Sequence, residues 1–333
     1  VSIERISHTP FEPETLEKLR ETVQENLGDA IFQNRLSSMV RKESAGFSSA
    51  SVYSGTFLRQ ISMAAVKVSC TPEKWKQSLE QLERSHRQAI ENGFLPQELA
   101  RVKADFISSL EADVLQADTR KSSQLARSIL GALNQETLFL SPLQKLEVLK
   151  PYIQGLTLEQ VNQAFKESWG NDQRLVLVSG NAIIPENSEF SASEQILELY
   201  RKSLAQPIKE FKRFEAKSFP YLSFPISTAT VLNKRENIDG LGITQIDLSN
   251  NVRLNLKKTT FKNGEFLFKV VFGQGGSSEP DDMPGLSSLA QSTLQLSGFQ
   301  SMDPDQMEDA LAGREVNIEF SINDTYFQVA GSG

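Results

Sequence analysis

The spacing of the apolar residues changes along this chain, and that change limits what it can fold into. After Pro13, the residues Leu16, Leu19, Val23, Leu27 and Ile31 are spaced by three or four, the spacing of one helix face. From Gly46 to Cys70 this spacing is lost, and Phe47 to Tyr53 and Phe57 to Val68 read as strands. Helical spacing then returns. Thr71 reads as an N-cap with Pro72 at the first helical position, and Trp75, Leu79, Leu82, His86 and Ile90 share one face before Gly93. A second helix from near Pro96 carries Leu99, Val102, Phe106, Leu110 and Val114, and a third carries Leu125, Ile129 and Leu133. Thr157 and Gln160 form a capping box ahead of Val161, Phe165 and Trp169. Gly170 to Asp172 reads as a turn and Arg174 to Ser179 as a buried strand. Helices on one side of a mainly antiparallel sheet accommodate this order, so the expected class is α+β.

Between Asn181 and Arg235 the pattern breaks. Pro185, Pro207, Pro220 and Pro225 interrupt it, a charged segment runs from Lys209 to Lys217, and one helix is expected at Ser193 to Leu204. This stretch reads as a hinge or linker, 181–235, lying on the surface between a first domain, 1–180, and the start of a second, 236–333. In the second domain Ile246 to Leu248 and Val252 to Leu256 form a hairpin around Ser249 to Asn251. Phe266 to Phe272 is a strand, and Gly273 to Ser278 reads as a flexible loop; no Lys-Ser/Thr follows it, so it is no phosphate cradle. Helices follow at Leu286 to Leu294 and Asp303 to Leu311. Val316 to Phe320 and Thr325 to Val329 read as paired strands.

Composition narrows the chemistry. Apolar residues are 39% and charged residues 23% of 333, an ordinary globular balance. The net charge of -7 argues against nucleic acid and anionic lipid as partners, and no apolar run reaches membrane-spanning length. Cys70 is the one cysteine, which excludes an internal disulfide and reads as a small buried hydrophobe. There are two histidines, in no ligand-spaced motif: His86 on an apolar stripe, read as a satisfied core or rim residue, and His8 in a frayed, solvated N-terminal segment. The start lacks a signal peptide, and both ends read as cut from a longer protein.

The wording of several segments carries a resemblance. In the first domain these are Phe32 to Leu36, Tyr53 to Cys70, Asn92-Gly93-Phe94 with Glu98 to Lys103, Leu156 to Val161 and Arg174 to Val178. In the second they are Leu248 to Leu254, Phe272 to Gly276, Pro284-Gly285-Leu286 and Gly313 to Asn317. The chain resembles the insulinase/pitrilysin family of zinc metallopeptidases (peptidase family M16) over nearly its whole length. It looks like the middle of a long two-half member: the second, non-ligand domain, the hinge, and the start of a degenerate ligand-type domain. The resemblance implies two insulinase-like domains, each an antiparallel-rich sheet with helices on one face, the second incomplete.

Active members carry His-x-x-Glu-His on the helix after the Gly-Leu, two zinc ligands one turn apart with a general base between them. Here the matching positions hold Ser288, Gln291 and Ser292. Hydroxyls are not normal zinc ligands and Gln takes no proton from water. A serine nucleophile among Ser287, Ser288 and Ser292 has no base partner close in sequence. No zinc or other cofactor is therefore expected in this chain, and the resemblance places zinc in an active domain outside it. In active relatives the segment matching Val316, Asn317, Ile318, Glu319 and Phe320 is an edge strand that pairs with extended substrate; here it is a vestigial edge or simply a strand of the sheet. The implied partners are a peptide or unfolded protein and the rest of the polypeptide or a catalytic partner half, in the bacterial periplasm where long members commonly work. A structural or noncatalytic partner subunit of the same ancestry is the alternative.

Overall fold

The computed structural model describes residues 1–42, 44–170, 173–185, 190–208, 228–294, 297–298 and 302–333. The charged segment 209–217, Pro220, Pro225 and two residues of the 170–172 turn lie outside them.

A four-stranded antiparallel sheet organises the first part of the chain. Its strands are β1 (Ser2–His8), β2 (Ser49–Phe57), β3 (Ile61–Ser69) and β4 (Leu175–Leu177), in the order β2-β3-β1-β4. Their register aligns Val52, Val66, Ile3 and Val176 in one apolar row. That row faces the helices, because side chains of period two share a sheet face. The helices are α1 (Leu16–Arg41), α2 (Trp75–Asn92), α3 (Pro96–Leu115), α4 (Ser122–Gln135), α5 (Pro142–Gly155), α6 (Leu158–Trp169) and α7 (Ala192–Leu204). Leu27, Phe32 and Leu36 of α1, Leu79 and Leu82 of α2, Ile153 of α5, and Phe165 and Trp169 of α6 are fully buried. Each such side chain contributes roughly 1.5–3 kcal/mol through lost contact with water. α1 and α6 approach closely at Gly28, where a Cβ would stand 2.9 Å from the Cβ of Phe165. Arg35 of α1 pins the α2–α3 junction: its Nε and Nη2 each donate to Glu98 at 2.7 Å, and Nη2 also donates to the Gly93 carbonyl at 3.0 Å.

Several expectations are corrected here. The N-terminal segment is not frayed. His8 is exposed but sits in β1, opposite Ile61 of β3. β4 is an edge strand rather than a buried one: only Val176 faces the helices, and Leu175 and Leu177 point to the open face, 45% and 41% exposed. Thr71 makes no side-chain cap; a 3-10 turn over Pro72–Lys74 precedes α2. Cys70 is half-buried, at the end of β3 rather than within it. The helix expected from Pro13 begins at Leu16, with the Thr15 hydroxyl accepting from Lys18 N. α5, which contains Pro151, carried no reading from its spacing. The Thr157–Gln160 capping box forms in both directions, with contacts of 3.2 and 2.8 Å.

α7 lies on the first part. Arg87 of α2 donates to the carbonyls of Ser203 and Gln206, at 3.1 and 2.9 Å. Beyond residue 230 the strands divide between two sheets rather than one. The first is β5 (Val231–Arg235), β6 (Ile243–Leu248) and β7 (Arg253–Lys257), with β6 central; β5 falls in the stretch read as linker. The second is β8 (Leu267–Phe272), β9 (Asn317–Ile322) and β10 (Phe327–Ser332), in the order β8-β10-β9. α8 (Leu286–Leu294) packs on β9, and α9 (Pro304–Ala310) lies against α1 and α3. Among the described residues past 230, Met302 is the one large apolar side chain that is buried.

Candidate functional site

The helix α8 is held at its start by a single carboxylate. Glu279 accepts from Gly285 N at 2.7 Å and from Ser287 N at 2.8 Å, satisfying donors that the first helical turn leaves open. Hydrogen bonds from Ser287 and Gly285 hold its carboxyl below the usual range. The preceding 273–278 segment is not a flexible loop. Gly275 and its neighbours form a short 3-10 turn, tied by Gly276 N to the Asn323 carbonyl and Ser277 N to that of Asp324, both at 2.8 Å. Gly275 has φ +63°, and a Cβ there would lie 2.1 Å from the Asn323 oxygen, so that position requires glycine.

Ser288, Gln291 and Ser292 all fall on α8 and are exposed. Ser288 and Ser292, four apart, share a face. The Ser292 hydroxyl donates to the Ser288 carbonyl at 2.8 Å, turning back on its own helix. The Gln291 Oε1 accepts from Ile322 N of β9 at 2.8 Å. Gln291, which the resemblance matches to a general base, therefore fastens α8 to the end of a strand. These donors do not fit a zinc ion: two are neutral hydroxyls and the third is a carboxamide already bound to a backbone N–H. Among the described residues, no three or more His, Cys, Asp or Glu converge as a metal site.

β9 is an edge strand, pairing with β10 on one side. The Asn323 N to Tyr326 O bond fixes which backbone groups face β10, and the alternation leaves those of Ile318, Phe320 and Ile322 facing outward. Gln291 takes the Ile322 N–H. Val316 lies just before the strand; it, Asn317, Ile318 and Glu319 are exposed, and Phe320 is half-buried and stacks on Phe327 at 6.4 Å. The open face of the first sheet is a feature that the sequence reading missed. Ile6, Tyr53, Leu175 and Leu177 are all more than 40% exposed there. An antiparallel sheet facing water normally presents polar side chains. The alternation in β1 and β2 carried this signal, but the run Leu175 to Val178 reads as uniformly buried and masked it.

His86 is a core residue. It is buried against Trp169, with ring centroids 4.0 Å apart, and its Nε2 has no hydrogen-bond partner among the described residues, so that nitrogen is not satisfied there. Burial, with the nearby Arg174 charge, pushes its pKa down to about 3.

No protein-family model matches the chain. It is 21% identical over 317 residues to the chloroplastic stromal processing peptidase of Arabidopsis thaliana, covering 86% of this chain and 25% of that protein. Several solved structures align with all of it, among them the following. The periplasmic protease PqqL of Escherichia coli does so with a TM-score of 0.51 and 17% identity, over 36% of its own length. A ferredoxin protease, FusC, bound to Arabidopsis ferredoxin, gives 0.55 and 11% over 37%, and pitrilysin 0.50 and 12% over 34%. The fold defined by these sheets and helices is that of the insulinase/pitrilysin peptidases. The chain spans about a quarter of the curated relative and about a third of those structures.

Proposed function

We propose that this chain is a noncatalytic portion of an insulinase/pitrilysin-type zinc metalloendopeptidase, forming wall and hinge of a chamber that holds extended peptide. The observation that carries the reading is Gln291. It occupies the general-base position on α8, yet its side-chain oxygen is committed to Ile322 N, so α8 buttresses β9 instead of performing chemistry. The backbone of Ile318 and Phe320 is then available for β-augmentation by an extended chain. The exposed Ile6, Tyr53, Leu175 and Leu177, set around Ser2, Glu4 and Lys67 on the same sheet face, offer mixed apolar and polar contacts to unfolded segments. A neighbour of this fold holds ferredoxin, which supports a protein or peptide partner. Zinc and its ligands belong, on this reading, to another domain of the working protein, and the periplasm is its compartment. Among the described residues no helix is long and apolar enough to cross a membrane.

The test is to purify the chain, measure its metal content, and titrate a fluorescent unstructured peptide by polarisation. Peptide binding without hydrolysis and without stoichiometric zinc is expected. One equivalent of zinc, with hydrolysis that a chelator abolishes, would overturn the reading. The same donor set suits a noncatalytic partner subunit; that reading gains if the chain binds a separate catalytic subunit and no free peptide.

A further inference from the structure

A cluster of opposite charges joins the second part of the chain to the first. α9 presents Asp305, Glu308 and Asp309 to the C-terminal end of α1 and to α3. Arg41 Nε donates to Asp305 at 2.8 Å and Arg41 Nη1 to Glu308 at 3.1 Å, while Lys42 Nζ lies 2.6 Å from Asp305. Ser38 also donates to Asp305. From α3, the two Nη groups of Arg101 reach Asp309 and Glu308, each at 2.7 Å. One turn further along α3, Asp105 accepts from Gly313 N at 2.8 Å. Five ion pairs thus join segments more than 200 residues apart in sequence. Arg35, the other cation on this side of α1, is engaged by Glu98.

Close backbone approaches accompany these pairs: a Cβ at Gly264 would stand 3.0 Å from the Cβ of Leu115, and one at Gly313 3.1 Å from that of Ala104. A cleft of about 390 Å³ opens between α1, α3 and α9, with Ile31, Leu95, Ala100 and Ala312 on its walls, so the apolar surfaces do not close on one another. Arg41, Arg101 and Asp305 are less than one-fifth exposed at their side chains. They are shielded enough to attract strongly, and close enough to solvent for salt to reach them.

We propose that α9 is an electrostatic latch, in which Asp305, Glu308 and Asp309 clasp Arg41, Lys42 and Arg101 and so set the position of the second part against the first. The latch rests on the ion pairs alone and does not depend on the chain's binding peptide. Releasing it leaves the core of the first part untouched, since none of the six residues belongs to that core. It therefore gives the two parts a closed and an open arrangement whose balance answers to ionic strength.

The full chain carrying Cys70→Ser, with spin labels at Glu73→Cys and Lys258→Cys on exposed sites, reports the separation by pulsed electron resonance. One narrow distance is expected at low salt. At 1 M salt, where the screening length is about 3 Å, the longer-distance population rises about tenfold. Reversing one side with Arg41→Glu, Lys42→Glu and Arg101→Glu produces the same opening at low salt. Reversing the other side as well, with Asp305→Arg, Glu308→Arg and Asp309→Arg, restores the narrow distance. The thermal transition of the first part should be unchanged throughout, which separates opening from unfolding. A distance indifferent to salt and to one-sided reversal, or one that two-sided reversal does not restore, overturns the latch.

Discussion

Asp29 shows how one buried group couples stability to pH. It lies on α1 and is 8% exposed; one carboxylate oxygen accepts from the Ser54 hydroxyl at 2.6 Å and the other has no partner among the described residues. Burial pushes its pKa up to about 6, against the pull of the Ser54 hydrogen bonds. Glu25, one turn earlier, is pushed up to about 6 by burial and by the charges of Asp29, Glu21 and Glu167. The folded state thus holds the Asp29 proton more tightly than the unfolded state. Its favourable contribution is full below the unfolded value near 3.8 and is lost as pH rises through about 6. Asp29→Asn keeps an acceptor for Ser54 and removes the charge. The stability advantage of this variant over the parent, from urea unfolding, should grow by on the order of 2 kcal/mol between pH 4 and pH 7. His86, whose pKa is lowered, drifts the opposite way, losing stability as pH falls below 6.5, but it is present in both proteins and cancels in the difference.

At the scale of elements, the informative case is β9. Its outward backbone positions, Ile318 and Phe320, alternate with positions bonded to β10, so proline has opposite effects at neighbouring sites. Ile318→Pro removes an N–H that faces away from β10 and should leave stability within about 0.5 kcal/mol of the parent. If the edge holds extended peptide, it should weaken peptide binding by roughly 1 kcal/mol, about fivefold, for the lost hydrogen bond. Polarisation titration beside thermal melting separates the two effects. Unchanged affinity would remove the edge from the binding surface. The helices tell a simpler story. The apolar stripes of α1, α2, α3 and α6 were legible because each helix makes its hydrogen bonds within itself. The exposure of β4 was not legible, because a run such as Leu175 to Val178 gives no sign of which face a sheet leaves open.

For the whole molecule, the asymmetry of burial is decisive. The core comes from residues up to Trp169, whereas past 230 only Met302 among the described large apolar side chains is buried. A fragment of residues 1–208 should unfold cooperatively in urea. A fragment of residues 228–333 should show no cooperative transition, because its two three-stranded sheets leave side chains such as Leu254, Leu256, Val270 and Phe272 about half exposed. A sharp transition in the second fragment would show that its sheets are stable without neighbours.

The sequence by itself determined the α+β class, the positions of most helices and strands, and the chemical poverty of Ser288, Gln291 and Ser292, because periodicity and donor chemistry are local properties. Only the tertiary structure decided what those residues do instead. Gln291 binds Ile322, 31 positions away, and Arg41 binds Asp305 across 264. Hydrogen-bond and ion-pair partners so distant in the chain leave no period to read; they exist only once the sheets and helices have brought them together.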